Sequence, residues 1–206
     1  AIRTLASSEF DLSQIESIYG ILQSNDSTLW LATGGNGLFR LHFDRRYAGE
    51  YRVTSLVNYR FTGEPGGIKG NVIYDMVMQG DSTLWVTTRG GGLNRLDLRT
   101  GSFTGYDSGV SASEICSNDV ICLYVDRKDR LWVGTSAGLN CLEDVNAPVF
   151  KHYTESNGLA NSNIHAILED AEGYIWVSTN KGLSRMDVQH ETFVHYFYSD
   201  GLQDNE

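Results

Sequence analysis

The stretch IHAILEDAEGYIWVSTNKGLSRMD, Ile164 to Asp187, decides the fold because the chain carries it four times. Earlier copies read VICLYVDRKDRLWVGTSAGLNCLED from Val120, IYDMVMQGDSTLWVTTRGGGLNRLD from Ile73 and IYGILQSNDSTLWLATGGNGLFRLH from Ile18. Each copy sets a Trp among aliphatics (Trp30, Trp85, Trp132, Trp176) and a Thr three residues on (Thr33, Thr88, Thr135, Thr179). A Gly-Leu pair follows at Gly37-Leu38, Gly92-Leu93, Gly138-Leu139 and Gly182-Leu183. Three copies then place an Arg two residues after the Leu (Arg40, Arg95, Arg185), where the third has Cys141. Successive tryptophans stand 55, 47 and 44 residues apart, the spacing of architectures that repeat a small sheet.

Working outward from each Trp, short apolar runs alternate with turn-rich pieces such as DRKDR, DAEG and TNKG. The repeats cover about residues 15–59, 73–106, 120–153 and 164–198, with four short strands in each. In the first copy a long excursion, DRRYAGEYRVTSLVNY, stands where the others have a short turn, and RFTGEPGGIKGN connects it to the next repeat. Four antiparallel strands per repeat of this length predict an all-β fold, a β-propeller with four blades in residues 1–206. The apolar spacing has no 3.6-residue period, which excludes a helical solenoid. First strands such as IHAIL and VICLYV are apolar on both faces, so they are expected to be buried on both sides near the propeller axis. The tryptophans are read as anchors packed between blades, and the Gly after each Trp-x-x-Thr as a backbone position closed to other residues.

Composition narrows the function. Twenty-six acids against 16 Lys and Arg give a formal charge of −10, a surface that repels phosphate backbones and argues against nucleic acid as a partner. No run of 18 apolar residues exists to span a membrane, and no signal peptide is visible at Ala1. Cys116, Cys122 and Cys141 lack C-x-x-C spacing, and the second and third sit at apolar strand positions, as buried free thiols would. The histidines (His42, His152, His165, His190, His195) lack metal-ligand spacing, and His152 and His195 fall at equivalent places in FKHY and FVHY. No cofactor or metal is expected.

The pattern D-x-x-G-x-[IL]-W-[IV]-[GS]-T-x-x-G-L-x-R-x-D reads most fully in Asp170, Gly173, Trp176, Thr179, Gly182, Leu183, Arg185 and Asp187. A G-L-x-x-N connection stands at Gly158 to Asn163, and a related GLQDNE at Gly201 to Glu206. Together they resemble the two-component regulator propeller repeat. The resemblance runs from about Ile15 to the end, with Ser24 and Gln79 where the first two copies lack the Asp. It implies the extracytoplasmic, periplasmic sensor region of a hybrid two-component system, with seven-bladed propellers and a histidine kinase module beyond a membrane helix. It further implies that the four blades here are part of a larger ring. An open array of this kind would expose apolar blade faces, inviting a homodimer or contact with a second propeller.

If strands alternate in direction, the inter-blade connections and the second-to-third strand turns share one face. That face would carry Asn36, Arg89, Asn180 and Lys181 from the turns, with Asn71, Asn118, Asn161 and Asn163 from the connections. Amides and cations of this kind hydrogen-bond sugar hydroxyls, and Arg89 or Lys181 could meet a carboxylate, so an oligosaccharide is the expected ligand. The competing reading makes the asparagines turn formers. Catalysis is not expected. The D-x-E-G turn loosely resembles the Asp-box of sialidases, but no arginine cluster, Tyr nucleophile and acids converge outside the repeat, and Asp126 and Asp170 are expected to bond local amides. The remaining alternative is a propeller that binds only proteins.

Overall fold

The computed structural model describes residues 15–45, 51–109 and 114–202, together with residues 13 and 111. The polar stretch Ala1 to Gln14 lies almost wholly outside them, as do the last four residues of the GLQDNE connection. Four antiparallel four-stranded sheets follow one another, each with its strands in sequential order. The first holds β1 (Ile18–Asn25), β2 (Thr28–Thr33), β3 (Leu38–Arg45) and β4 (Tyr51–Tyr59). The second holds β5 (Met76–Gln79), β6 (Thr83–Thr88), β7 (Gly92–Asp97) and β8 (Phe103–Tyr106). The third holds β9 (Val120–Val125), β10 (Leu131–Thr135), β11 (Gly138–Leu142) and β12 (Phe150–Tyr153). The fourth holds β13 (Ile164–Glu169), β14 (Ile175–Thr179), β15 (Gly182–Asp187) and β16 (Thr192–Tyr196). β1 packs on β5, β5 on β9 and β9 on β13, so the first strand of each blade lines a common axis. No comparable contact joins the first blade to the fourth, and the four form an open arc among the described residues.

Each tryptophan sits on the second strand of its blade, as the repeat predicts. Trp30, Trp85 and Trp132 are at most 1% exposed, whereas Trp176, in the blade with no neighbour beyond it, stays partly open. Each indole packs on the Tyr that ends the fourth strand: Trp30 stacks on Tyr59, Trp132 on Tyr153 and Trp176 on Tyr196, while Trp85 meets Tyr106 at a tilt. The tyrosine then meets a Phe of the next blade edge-on, as Tyr59–Phe103, Tyr106–Phe150 and Tyr153–Phe193. This Trp–Tyr–Phe relay runs through the three apolar clusters between blades and adds ring-to-ring attraction to their area burial.

The turn after Trp-x-x-Thr is held the same way in every blade. The Thr hydroxyl donates to the carbonyl of the following Gly: Thr33 to Gly37 at 2.6 Å, Thr88 to Gly92 at 2.9 Å, Thr135 to Gly138 at 2.8 Å and Thr179 to Gly182 at 3.1 Å. Gly37, Gly92 and Gly182 have φ of 84°, 71° and 85°, and a Cβ on any of them would stand 2.3 Å from the carbonyl oxygen of the stacking Tyr. Both conformation and space require glycine there.

Two expectations need correction. The excursion in the first repeat is not an inserted loop in place of a turn: its second half is β4, nine residues paired along β3 with a bulge at His42/Phe43. The inner strands are not buried on both sides throughout. β9 is the most enclosed, but Ile21 of β1 is 67% exposed and Leu168 of β13 is 59% exposed. Inner strands face the axis, and the two terminal blades each lack one flanking sheet.

Candidate functional site

One rim of the arc gathers the inter-blade connections and the second-to-third strand turns. Residue pairs Gly34–Val72 and Arg89–Asp119 form antiparallel bridges between a turn and the connection leading to the next blade. Gly37 N–H donates to the Asn71 carbonyl at 2.9 Å, and Gly92 N–H to that of Asn118 at 3.0 Å. The rim predicted from strand alternation therefore exists, and Asn36, Asn71, Arg89 and Asn118 share it.

The asparagines divide by what their side chains do. Asn71 Oδ1 accepts from Phe61 N–H at 2.8 Å and Asn118 Oδ1 from Ser108 N–H at 2.7 Å, each capping the exit of a fourth strand. Asn161 is tied locally, donating to Glu155 Oε1 at 3.0 Å and accepting from Asn163 N–H at 3.1 Å. Asn163 Oδ1 is buried without a partner among the described residues. For Asn71, Asn118 and Asn161 the turn-forming role is the one the geometry displays. Asn36 is fixed through its backbone, donating to Thr33 Oγ1 at 3.0 Å. Asn180 bonds His165 through its Oδ1. Arg89 and Lys181 are exposed, and neither side chain has an ion-pair partner among the described residues.

The sequence reading missed a second set of residues on this rim. β1, β9 and β13 each open on a bulge, because Ile18 and Gly20, Val120 and Cys122, and Ile164 and Ala166 pair with consecutive residues of the neighbouring strand. The displaced residues are Tyr19, Ile121 and His165, and Tyr74 holds the same place ahead of β5. Bulges re-aim side chains, and in these three blades they take one residue out of the inner strand's alternation. The signal in the sequence was a large or polar residue (Tyr19, Tyr74, Ile121, His165) directly after the recurring Ile or Val that opens each copy.

Beneath the rim each connection is latched to the blade it leads into. Asn94 Oδ1 accepts from Lys69 N–H at 3.0 Å, Asn140 Oδ1 from Cys116 N–H at 2.9 Å, and Ser184 Oγ from Ala160 N–H at 3.4 Å. All three polar side chains are fully buried, and each connection sinks one aliphatic beside them: Ile68, Ile115 or Leu159. Near the axis, Asp75 reaches across to the third blade and accepts from Leu123 N–H at 2.9 Å. Burial raises the Asp75 pKa despite the Leu123 and Met76 amides. Burial, with the Asp75 charge added, pushes the Cys122 thiol up to about 12, and burial does the same for Cys141. Both thiols are enclosed and protonated, the opposite of a primed nucleophile. His152 Nε2 meets the Glu114 carbonyl at 2.8 Å and His195 Nδ1 meets Ser184 Oγ at 3.0 Å, structural positions as expected.

On the opposite rim the D-x-x-G turns do more than bond local amides. Asp126 Oδ1 accepts from Lys128 and Arg130 N–H, both at 2.9 Å, and Asp170 Oδ1 from Glu172 and Tyr174 N–H at 3.1 and 2.9 Å. The second oxygen of each takes the indole N–H, of Trp132 at 2.8 Å and of Trp176 at 2.6 Å. Gln79 and Ser24 accept from Trp85 and Trp30 at 2.8 and 3.2 Å, so the substitutions in the first two copies keep that acceptor. Arg40, Arg95 and Arg185 lie over the indoles, and Arg130 takes this place in the blade that has Cys141. These acids and cations are absorbed by the fold. No group of three or more His, Cys, Asp or Glu that could hold a metal occurs among the described residues. No helix among them is long and apolar enough to cross a membrane.

Residues 114–137 and 158–181 match the family described as two component regulator propeller. The chain is 26% identical over 185 residues to histidine kinase P4 of Formosa agariphila, a match covering 65% of this chain and 13% of that protein. Its fold is similar to the extracellular domain assigned to a hybrid two component system of B. thetaiotaomicron, at TM-score 0.75 and 22% identity. That match covers 93% of this chain and 26% of the other. A looser likeness, TM-score 0.59 and 17% identity over 90% of this chain and 56% of the other, is to virginiamycin B lyase from Staphylococcus aureus. The chain thus spans about an eighth of the kinase and a quarter of the extracellular domain.

Proposed function

From a chain whose residues 114–137 and 158–181 match the two-component regulator propeller repeat, we propose a ligand-sensing segment of a hybrid two-component sensor. It lies outside the cytoplasm, in the periplasm, and forms part of a larger ring whose signal passes to a histidine kinase module. Likeness to extracellular domains of such systems and to a histidine kinase supports this, as do the open faces of the terminal blades. The ligand is a carbohydrate, held at the rim of connections and turns, with no bond made or broken.

The observation that carries the reading is the contrast between the two rims. The acids and arginines around the tryptophans are consumed by structural contacts, whereas on the connection rim Arg89 and Lys181 are exposed with no ion-pair partner among the described residues. Charged donors that the fold does not use are what a polyhydroxylated ligand requires.

A glycan array probed with the purified chain tests this. Binding to a defined set of oligosaccharides, lost in an Arg89→Ala, Lys181→Ala double variant, is the expected result. A blank array would favour the second reading, a protein-binding propeller, for which the exposed Ile18, Tyr19, Ile21, Leu168 and Val194 of the terminal blades speak.

A further inference from the structure

Tyr19 and Tyr74, the displaced residues of the first two blades, stack on one another across the blade boundary. Their ring centroids are 6.2 Å apart with 14° between planes, and Tyr19 is 56% exposed. The relay that joins blades runs instead through Trp30, Tyr59 and Phe103, so this second pair is not needed to hold the same boundary. A stacked pair of phenol rings at the blade boundary, one of them exposed, presents an apolar outer face with a polar rim, the surface that packs against the C–H face of a sugar ring.

A cation stands on the neighbouring turn, where Arg89 N–H donates to the Val72 carbonyl at 3.0 Å, two residues before Tyr74. In two blades the first residue of the second-to-third strand turn lies against the displaced residue of its own blade. In the first blade a Cβ on Gly34 would stand 2.8 Å from the Tyr19 ring, and in the fourth the Asn180 amide oxygen bonds His165. In the second blade that turn residue is Arg89, exposed and without an ion-pair partner among the described residues, and the displaced residue is Tyr74.

We propose that Tyr19, Tyr74 and Arg89 form a subsite for a pyranose ring bearing a carboxylate, a hexuronate. The phenol rings take its C–H face and the Arg89 guanidinium takes its carboxylate through charge-assisted hydrogen bonds. The subsite rests on the carbohydrate reading above and deepens it, moving recognition from the connection asparagines to the bulged axial residues.

Titration calorimetry with two probes tests it: a glucuronate oligosaccharide and the glucose oligosaccharide of the same linkage and length. The chain should bind the uronate more tightly. Tyr19→Ala and Tyr74→Ala should each weaken it roughly three- to tenfold, while Tyr19→Phe retains it. Arg89→Ala should weaken the uronate by roughly tenfold or more and the neutral probe far less, so that the two affinities converge. Matched thermal unfolding of the variants guards against misfolding. Equal binding of both probes to the unaltered chain, or unaltered uronate affinity in both tyrosine variants, overturns the subsite and leaves the carbohydrate reading standing. Binding of neither probe overturns the subsite too, and the array then decides whether another sugar is the ligand.

Discussion

Replacing Asp126 by Asn should destabilise the protein by about 2–4 kcal/mol at neutral pH. The buried carboxylate accepts four hydrogen bonds: two from the turn amides of Lys128 and Arg130, one from the Trp132 indole, and one from Arg130 Nε at 2.6 Å. An amide offers its one oxygen to either the backbone pair or the side-chain pair, and its NH2 then faces two donors. Two bonds to a charged group are lost, each worth about 1.5–3 kcal/mol, with part recovered because Arg130 can turn toward water. The pH dependence follows from linkage. Burial works to raise the Asp126 pKa, but the Trp132 and Arg130 bonds outweigh it and hold the carboxyl below its ordinary 3.8. A depressed folded pKa contributes stability that is fully present above the unfolded value and is lost as pH falls through the folded one. The gap between wild type and Asp126→Asn in urea titrations should therefore be full at about pH 7 and close only below 3.8. A gap under about 1 kcal/mol at neutral pH, or one unchanged at about pH 2.5, would refute the reasoning.

Other outcomes follow from the same geometry. Gly92→Ala, at φ 71° and with its Cβ aimed 2.3 Å from the Tyr106 carbonyl, should cost at least about 2 kcal/mol. Gly63→Ala, at φ 83° in open space, should cost only about 1 kcal/mol, and the same urea titration compares them. Trp132→Ala should lose about 3–5 kcal/mol, and Trp176→Ala distinctly less because its ring is only partly covered; equal losses would contradict the open arc. Light scattering should detect self-association through the terminal blades, reduced in Leu168→Asp; a clean monomer at high concentration in both proteins would count against it.

Much of the fold was legible because its determinants recur at fixed spacing. Trp30, Trp85, Trp132 and Trp176 name the second strand, and the Gly-Leu pair names the turn after it, since only glycine tolerates that φ and that carbonyl. What repetition hid were contacts made by different side chains at one place. Ser24, Gln79, Asp126 and Asp170 differ in sequence yet all accept an indole N–H, so a pattern read as a missing Asp conserved the bond. Arg130 replacing the stacked Arg around Cys141 is invisible to alignment by position, because it approaches the ring from another strand end. The candidate rim was legible only in part. Strand alternation placed the turns and connections correctly, but Asn71 and Asn118 spend their side chains on backbone amides. A bulge shifts one residue out of the period on which strand reading depends, which is why Tyr19 did not stand out, and Tyr74 lies ahead of its strand altogether.

The latch between each connection and the blade it introduces fixes where this chain can be cut and rejoined. Lys69, Cys116 and Ala160 surrender their amides to Asn94, Asn140 and Ser184, always in the blade that follows. A segment excised from one Trp to the next would part a buried Asn from the amide it holds, exposing an orphaned polar group to the interior. A segment running from a connection to the Tyr that closes the fourth strand carries its own bolt, its own stacked rings and its own buried aliphatic. That segment is the transferable module, and grafting or duplicating blades along its borders should leave both neighbours intact.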